Sequence, residues 1–454
     1  MYWTHHEPVP SVTGVASHVT ELDGASQYPA GPPSATEARR PFRRGDAGLR
    51  RVNFALFLAG MATFTLLYET QALLPLISRS YGAGPAAASL TVSVATGALA
   101  LAVIPVSSLS EVVGRRTVMT VSVLAAAVLG LLAPLSPAFW VLLACRALQG
   151  AALAGVPAVA MAYLAEEVDR SSLGQAMGLY IAGNAIGGLT GRIGASVLAD
   201  AGGWRVALAG IGIFSLACAL IFRLALPPSA HFRPAPVRVA ALAHSLRGHV
   251  TDGGLVRLYL IAFALMGAFV TVYNYLTYRL EAAPFHLSQT VIGSIFFAYL
   301  AGTASSAVAG RVADRAGRRH VAWTAVVVAI AGLAMTLSAS LAVIIGGLVL
   351  LTIGFFAAHS VASGWVSRRA RIAPAQASAL YLFAYYLGSS ICGSVGGLAY
   401  SHGAWPATAA FAGALLLIAL ACALSLRRAP TARGLPAWPP TLDPTTAEGS
   451  LRRF

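Results

Sequence analysis

A chain of 454 residues, 57% of them hydrophobic and only 10% charged, with a mean hydropathy of +0.72, is not a soluble globular protein, since such domains carry about a quarter charged residues. The formal charge of +15 does not point to nucleic acid, because the arginines occupy short polar gaps between apolar runs, the pattern of membrane topology. The 31 basic residues are all Arg, so the phosphate-contacting Lys of a P-loop is missing and the chain is no ATPase of that type.

Residues 1–51 read as a disordered cytoplasmic tail, with several prolines and the basic string Arg39, Arg40, Arg43 and Arg44, and without the apolar core of a signal peptide. His6-Glu7 starts like a zinc-protease helix, but Pro8 and Pro10 break it and no second His follows, so no metal is expected. From Val52 to Leu426, twelve runs reach the roughly 20 apolar residues that a spanning helix needs. They are 52–74, 87–108, 117–135, 138–165, 173–198, 204–226, 255–278, 288–309, 320–338, 341–365, 375–400 and 405–426. An even number puts both tails on one side, and the arginines make that side the cytoplasm. On this topology Arg79, Arg192, Arg205 and Arg279 fall near the outer side, and Arg146 falls inside a span.

The longest gap, 227–254, divides the chain into six-span halves at 52–226 and 255–426. Within it Val239, Leu242, Ala243, Leu246 and Val250 recur at helical spacing opposite Arg238 and Arg247, which suits either a short basic helix on the inner leaflet or a solvated linker. Residues 427–454 are polar and proline-rich, a second cytoplasmic tail. Cys145, Cys218, Cys392 and Cys422 lie in apolar runs and read as reduced, small packing residues.

Glu69 is the only acidic residue well inside any span, and Arg146 is read as the only basic residue equally deep. Counting about 1.5 Å per residue, they lie roughly 9 and 12 Å below outer helix ends near Pro75 and Ala138. An ionised group at that depth needs a partner. The pair could therefore be a proton-coupling site that switches as its access changes, or a permanent structural ion pair. His359, in span ten, is a second candidate proton carrier, or a hydrogen-bonded packing residue with no partner nearby in sequence.

The gaps after spans two and eight repeat one another. Ser107-Ser108-Leu109-Ser110-Glu111-Val112-Val113-Gly114-Arg115-Arg116 and Gly310-Arg311-Val312-Ala313-Asp314-Arg315-Ala316-Gly317-Arg318-Arg319 share acid, Gly, Arg and Arg at a shift of 203. Leu179-Tyr180, Gly187, Gly202 and Trp204 echo Leu380-Tyr381, Gly388, Gly403 and Trp405 at a shift of 201. Two independent shifts this close indicate duplication. Glu111 and Asp314 each start a tight turn closed by Gly114 or Gly317, and a carboxylate facing arginines there makes either a breakable clamp or simple loop orientation. Gly183, Gly187 and Gly191, four apart in span five, form a ridge for close helix packing.

The 310–319 stretch resembles the signature loop of the major facilitator superfamily, and Arg146-Ala147-Leu148-Gln149-Gly150 resembles its second motif, often found in proton-coupled members. The run from Gly178 to Arg192 is similar to the acriflavin-sensitivity branch of bacterial exporters, although Gly187 is followed by Gly188 where antiporters of the family carry Gly-Pro. The resemblance covers residues 50–430. It implies an all-α membrane protein of two pseudo-symmetric six-helix bundles, a monomer in the inner membrane that needs neither cofactor nor ATP and binds no nucleic acid. It also implies proton antiport that exports a small organic, drug-like compound, with uptake by symport or a non-transporting receptor as alternatives. No Gly-x-Ser-x-Gly, His-Glu-x-x-His or intramembrane carboxylate pair suggests an enzyme. In the helices that line the family's cavity, the candidate substrate contacts are Tyr68, Gln71, Gln149, Asn184, Tyr273, Asn274, Tyr385 and Tyr386. Tyr278 and Tyr381, nearer span ends, are read as interfacial anchors.

Overall fold

The computed structural model describes residues 40–234, 239–370 and 372–426. The tail histidines, Arg39, Arg238, Arg371 and the carboxy-terminal tail lie outside them. In lipid every backbone N–H and C=O must find its partner within the protein, and a helix does this inside one segment. Among the described residues, ten helical stretches are long and apolar enough to cross a bilayer: Ala47–Tyr81, Pro85–Val113, Arg115–Leu135, Phe139–Glu167, Arg170–Ala225, Gly253–Glu281, Gln289–Ala316, Arg318–Met335, Leu341–Arg369 and Pro374–Ser425. Two of them, of 56 and 52 residues, leave helical geometry at Gly202-Gly203 and Gly403-Ala404 and so cross twice, in keeping with the twelve spans expected. The spans form two six-helix bundles. Both chain ends of the described region emerge on one face, here the terminal face; the opposite one is the far face.

The repeated loops have the same backbone. Gly114 and Gly317 sit at φ 105° and 88°, where a side chain is strained, and each donates its N–H back to the preceding helix, to Ser110 O at 3.2 Å and Ala313 O at 3.1 Å. Gly310 has open space around it, so neither packing nor backbone geometry demands glycine there.

The span-five ridge packs on span one. A Cβ added to Gly183, Gly187 or Gly191 would sit 2.3, 2.2 or 2.5 Å from the carbonyl oxygens of Phe57, Met61 and Thr65. Spans seven and eleven repeat this, with Gly388 equally tight against Phe263 O at 2.1 Å. The Thr65 hydroxyl donates to Gly187 O and the Thr271 hydroxyl to Cys392 O, both at 2.9 Å.

Span one departs from the expected 52–74. Its α-helix, Ala47–Tyr68, tightens into a 3-10 turn over Glu69–Leu73 and resumes as Leu74–Tyr81. Pro75 lies in the first turn of that last piece, where a missing N–H costs little, so the span continues past it and Glu69 lies deeper than the count to Pro75 placed it. The surface helix in the central gap runs Val239–Thr251; Arg247 is exposed on it, but Val250 is exposed too, and His249 is buried instead.

The two bundles meet most closely towards the far face. Arg79 Nη2 lies 2.6 Å from Glu281 Oε1, and the Asp200 carboxylate accepts from the N–H groups of Gln289 at 3.2 Å and Thr290 at 2.8 Å. Deeper in, the Ser390 hydroxyl donates to Ser93 O at 2.7 Å. Among the described residues no hydrogen bond or ion pair joins the bundles at the terminal face. The molecule is closed on the far side.

Candidate functional site

In the first bundle, the change from α to 3-10 geometry at Tyr68 frees carbonyl oxygens at the end of the α-helix for donors from outside it. Arg146, from span four, takes them. Its Nη1 donates to Leu66 O at 2.8 Å, to Glu69 Oε1 at 3.0 Å and to Gln149 Oε1, its Nη2 to Leu67 O at 2.8 Å, and its Nε to Thr91 O at 2.9 Å. All three guanidinium nitrogens are thus occupied, in a site where Arg146 and Glu69 are both fully buried. Glu69 Oε2 has no hydrogen-bond partner. Gln149, read from sequence as a cavity residue, is instead held inside this cluster, its amide nitrogen donating to Ala126 O at 3.2 Å.

A second polar group lies at the seam between the bundles. Gln71 Nε2 donates to Asn274 Oδ1 at 2.8 Å, a bond that joins positions 203 residues apart, the spacing of the internal repeat. Gln71 Oε1 accepts at 2.7 Å from Nε of Arg192. Arg192 therefore does not lie near the outer side, and Arg146 is not the only deep basic residue: Arg192 is only 3% exposed. Span five runs on to the Gly202-Gly203 turn, so Arg192 sits about ten residues, or roughly 15 Å, inside it. Its guanidinium carbon stands 4.3 Å from the ring centre of Tyr68, 4.7 Å from that of Tyr299 and 5.3 Å from that of Phe296, within cation–π range of each.

The second bundle is aromatic inside. Tyr273, expected in the cavity, faces this interior: its hydroxyl pairs with Thr352 Oγ1 at 2.8 Å and its ring stacks on Phe296 at 5.2 Å. Phe269 stacks on Phe355 at 3.9 Å, and the series continues through His359 to Tyr385 at 4.7 Å and on to Tyr386 at 5.2 Å. His359 does have a partner, distant in sequence: the Tyr381 hydroxyl lies 3.0 Å from His359 Nδ1. Tyr381 is buried, which corrects its reading as an interfacial anchor, and Tyr278 is partly buried against Tyr275 and Tyr400. Asn184 packs against Gly60 of span one, its Oδ1 without a partner. Sequence reasoning missed Tyr299 and Phe296 altogether; the available signal was Arg192, a cation inside an apolar run.

At the terminal face Asp314 is exposed and pairs with Arg318 at 2.9 Å and Arg368 at 3.8 Å, all within the second bundle. Glu111 reaches Arg115 only at 3.9 Å, while Arg115 binds Glu166 at 3.0 Å and Arg116 donates to Arg223 O at 3.3 Å. Arg319 lines an open cleft of about 510 Å³ beside Asp314. Asp252 caps span seven. Burial pushes its carboxyl up, but donation from Arg369 and from the N–H groups of Leu255 and Gly254 more than offsets this and holds it below the usual range.

A sequence model of the Major Facilitator Superfamily matches residues 52–283 and 258–453, once per half. The chain belongs to this superfamily. Among its relatives, the uncharacterized MFS-type transporter YybF of Bacillus subtilis is 45% identical over 378 residues, 83% of this chain and 94% of that one. The inner membrane transport protein YnfM of Escherichia coli is 44% identical over 412 residues, 91% and 99%. A bacterial homologue of the human lysosomal transporter Spinster, solved inward-facing, has the same fold, with a TM-score of 0.72 at 16% identity over 86% of this chain and all of that one. This superfamily member is a multi-pass membrane transporter.

Proposed function

We propose that the protein exports a small organic, drug-like compound from the cytoplasm in exchange for protons, as a monomer working by alternating access. The terminal face is then cytoplasmic, a reading that the distribution of arginines supports, and the conformation described above is open to the cytoplasm. The observation that carries proton coupling is the Glu69–Arg146 pair: the one carboxylate well inside the spans is tied by one oxygen to a cation that also holds the interrupted helix together. Glu69 Oε2, unbonded, is where a proton adds. Protonation weakens the charge-assisted bond to Arg146 and so alters how firmly the break in span one is held. The two bundles pack on each other through the second and eleventh spans and share few hydrogen bonds and ion pairs, so a bias of this kind can shift the balance between two faces.

Cells overexpressing the protein are challenged with a panel of toxic compounds, and the compounds that give resistance are then followed in vesicles under an imposed pH gradient. Expulsion that depends on the gradient supports export, and accumulation would make the protein an importer. Glu69→Gln is expected to abolish gradient-driven flux and to keep gradient-free exchange. Wild-type pH dependence in Glu69→Gln would remove Glu69 from the coupling.

A further inference from the structure

We infer that the transported compound is an organic anion with a flat apolar body, and that Arg192 receives its acidic group. This rests on the seam being the transport site. The two buried arginines differ in one respect that decides the matter. Arg146 is neutralised by Glu69 at 3.0 Å, and each of its three nitrogens already donates to an acceptor within the first bundle. Arg192 is as deeply buried, yet no acidic side chain among the described residues pairs with it; its acceptors are the amide oxygen of Gln71 and the backbone oxygen of Gly188, at 2.7 Å each. Those dipoles and the faces of Tyr68, Tyr299 and Phe296 make a guanidinium tolerable without cancelling its charge. A buried cation left uncancelled is costly, and such groups in membrane carriers mark substrate or ion sites.

The groups around it fit the same ligand. The Tyr68 hydroxyl and the Asn274 amide nitrogen are both buried without a partner, and both can donate. Tyr68 stacks on Arg192, and Asn274 is bonded to the Gln71 that holds it. Hydrogen-bond donors beside an uncancelled cation favour lone pairs and negative charge, and disfavour an amine. Aromatic rings on two sides of the guanidinium, from both bundles, favour a flat apolar body behind the acidic group.

Binding would also act on the seam. A carboxylate that takes the Nε hydrogen of Arg192 competes with Gln71 Oε1 for it. Gln71 then loses the contact that orients its amide towards Asn274, which is the side chain to side chain hydrogen bond that spans the two bundles at this depth. An anion at Arg192 therefore loosens the closed side of the molecule.

The test is thermal unfolding of the full-length protein in detergent against naphthalene-2-carboxylate and 4-hydroxybenzoate, each beside its amide and the matching aryl-methylamine. Saturable stabilisation by the carboxylates and none by amides or amines is expected. In Arg192→Gln the apparent affinity for the carboxylates should fall tenfold or more, with part recovered in Arg192→Lys, whose single ammonium keeps the charge but not the fork. Equal stabilisation by amides or amines, equal carboxylate affinity in wild type and Arg192→Gln, or no saturable response to either carboxylate would overturn the inference. Should Arg192→Gln not fold, the comparison of carboxylate with amide on the wild type decides alone. Glu69→Gln separates this inference from the coupling proposal. If export fails as a reading but Glu69→Gln and wild type both still select carboxylates, the anion site stands.

Discussion

The two bundles share their backbone and differ in what they bury. Gly114 and Gly317 adopt the same positive φ, the same glycine ridges press span five on one and span eleven on seven, and Gln71 meets Asn274 at the repeat distance. Inside, however, the first bundle holds Glu69, Arg146 and Gln149, with Arg192 on its seam, while the second holds Phe269, Tyr273, Phe355, Phe356 and His359. Packing at the ridge leaves no room for divergence, because a single added carbon meets backbone. Interior side chains that do not set the helix spacing are free to change, and after duplication one half became the charged half and the other the aromatic half.

The largest effect should come from Arg146. Arg146→Ala strands three backbone carbonyls and leaves Glu69 buried without its cation, so it should lose about 3–5 kcal/mol and yield little monodisperse protein on detergent extraction. Removing a buried aromatic from the second bundle leaves no stranded charge. If Arg146→Ala instead unfolds at the wild-type temperature, the charged half is not held together in this way.

The next test targets what the halves share. Gly187→Ala and Gly388→Ala place a Cβ 2.2 and 2.1 Å from carbonyl oxygens of the facing helices, and both should cost about 1–3 kcal/mol in thermal unfolding. Gly178→Ala, with open space around it, should cost nothing measurable of that kind. A penalty in only one bundle would mean that the packing, too, has diverged.

The smallest effect on stability should come from Asp314. Its pairs with Arg318 and Arg368 are exposed, so Asp314→Asn should change unfolding by about 1 kcal/mol or less. Flux in vesicles should nevertheless slow severalfold if the carboxylate closes this face in the opposite conformation; among the described residues Asp314 pairs only within its own bundle. Wild-type flux in Asp314→Asn would reduce the repeated loop to a device for orientation.

Much of the fold was legible because its cause is local. Backbone hydrogen bonds in lipid close within one helix, so run length and apolarity locate each span, and glycine at the loop turns follows from φ. Glu69 and Arg146 stood out because ionised side chains are rare at that depth. Arg192 did not, since its depth depends on where span five turns, and the apolar run closes at Leu198 while the helix runs on to Gly202. The facing of Gln149 and Tyr273 was equally hidden: each is polar, in a span, and suitable for a cavity, but rotation about a helix axis is settled by neighbours.

The sequence by itself determined a polytopic membrane protein, its duplication, the position of its loops and the scarcity of charge within its spans, all of them properties of single segments and their lengths. Only the tertiary structure decided which charges cancel. Arg146 meets Glu69 because a 3-10 turn in span one presents both the carboxylate and two carbonyls to span four, and Arg192 meets aromatic faces from both bundles but no acid. Neutralisation is a relation between helices, set by their breaks, rotations and spacing, and residue order alone does not contain it.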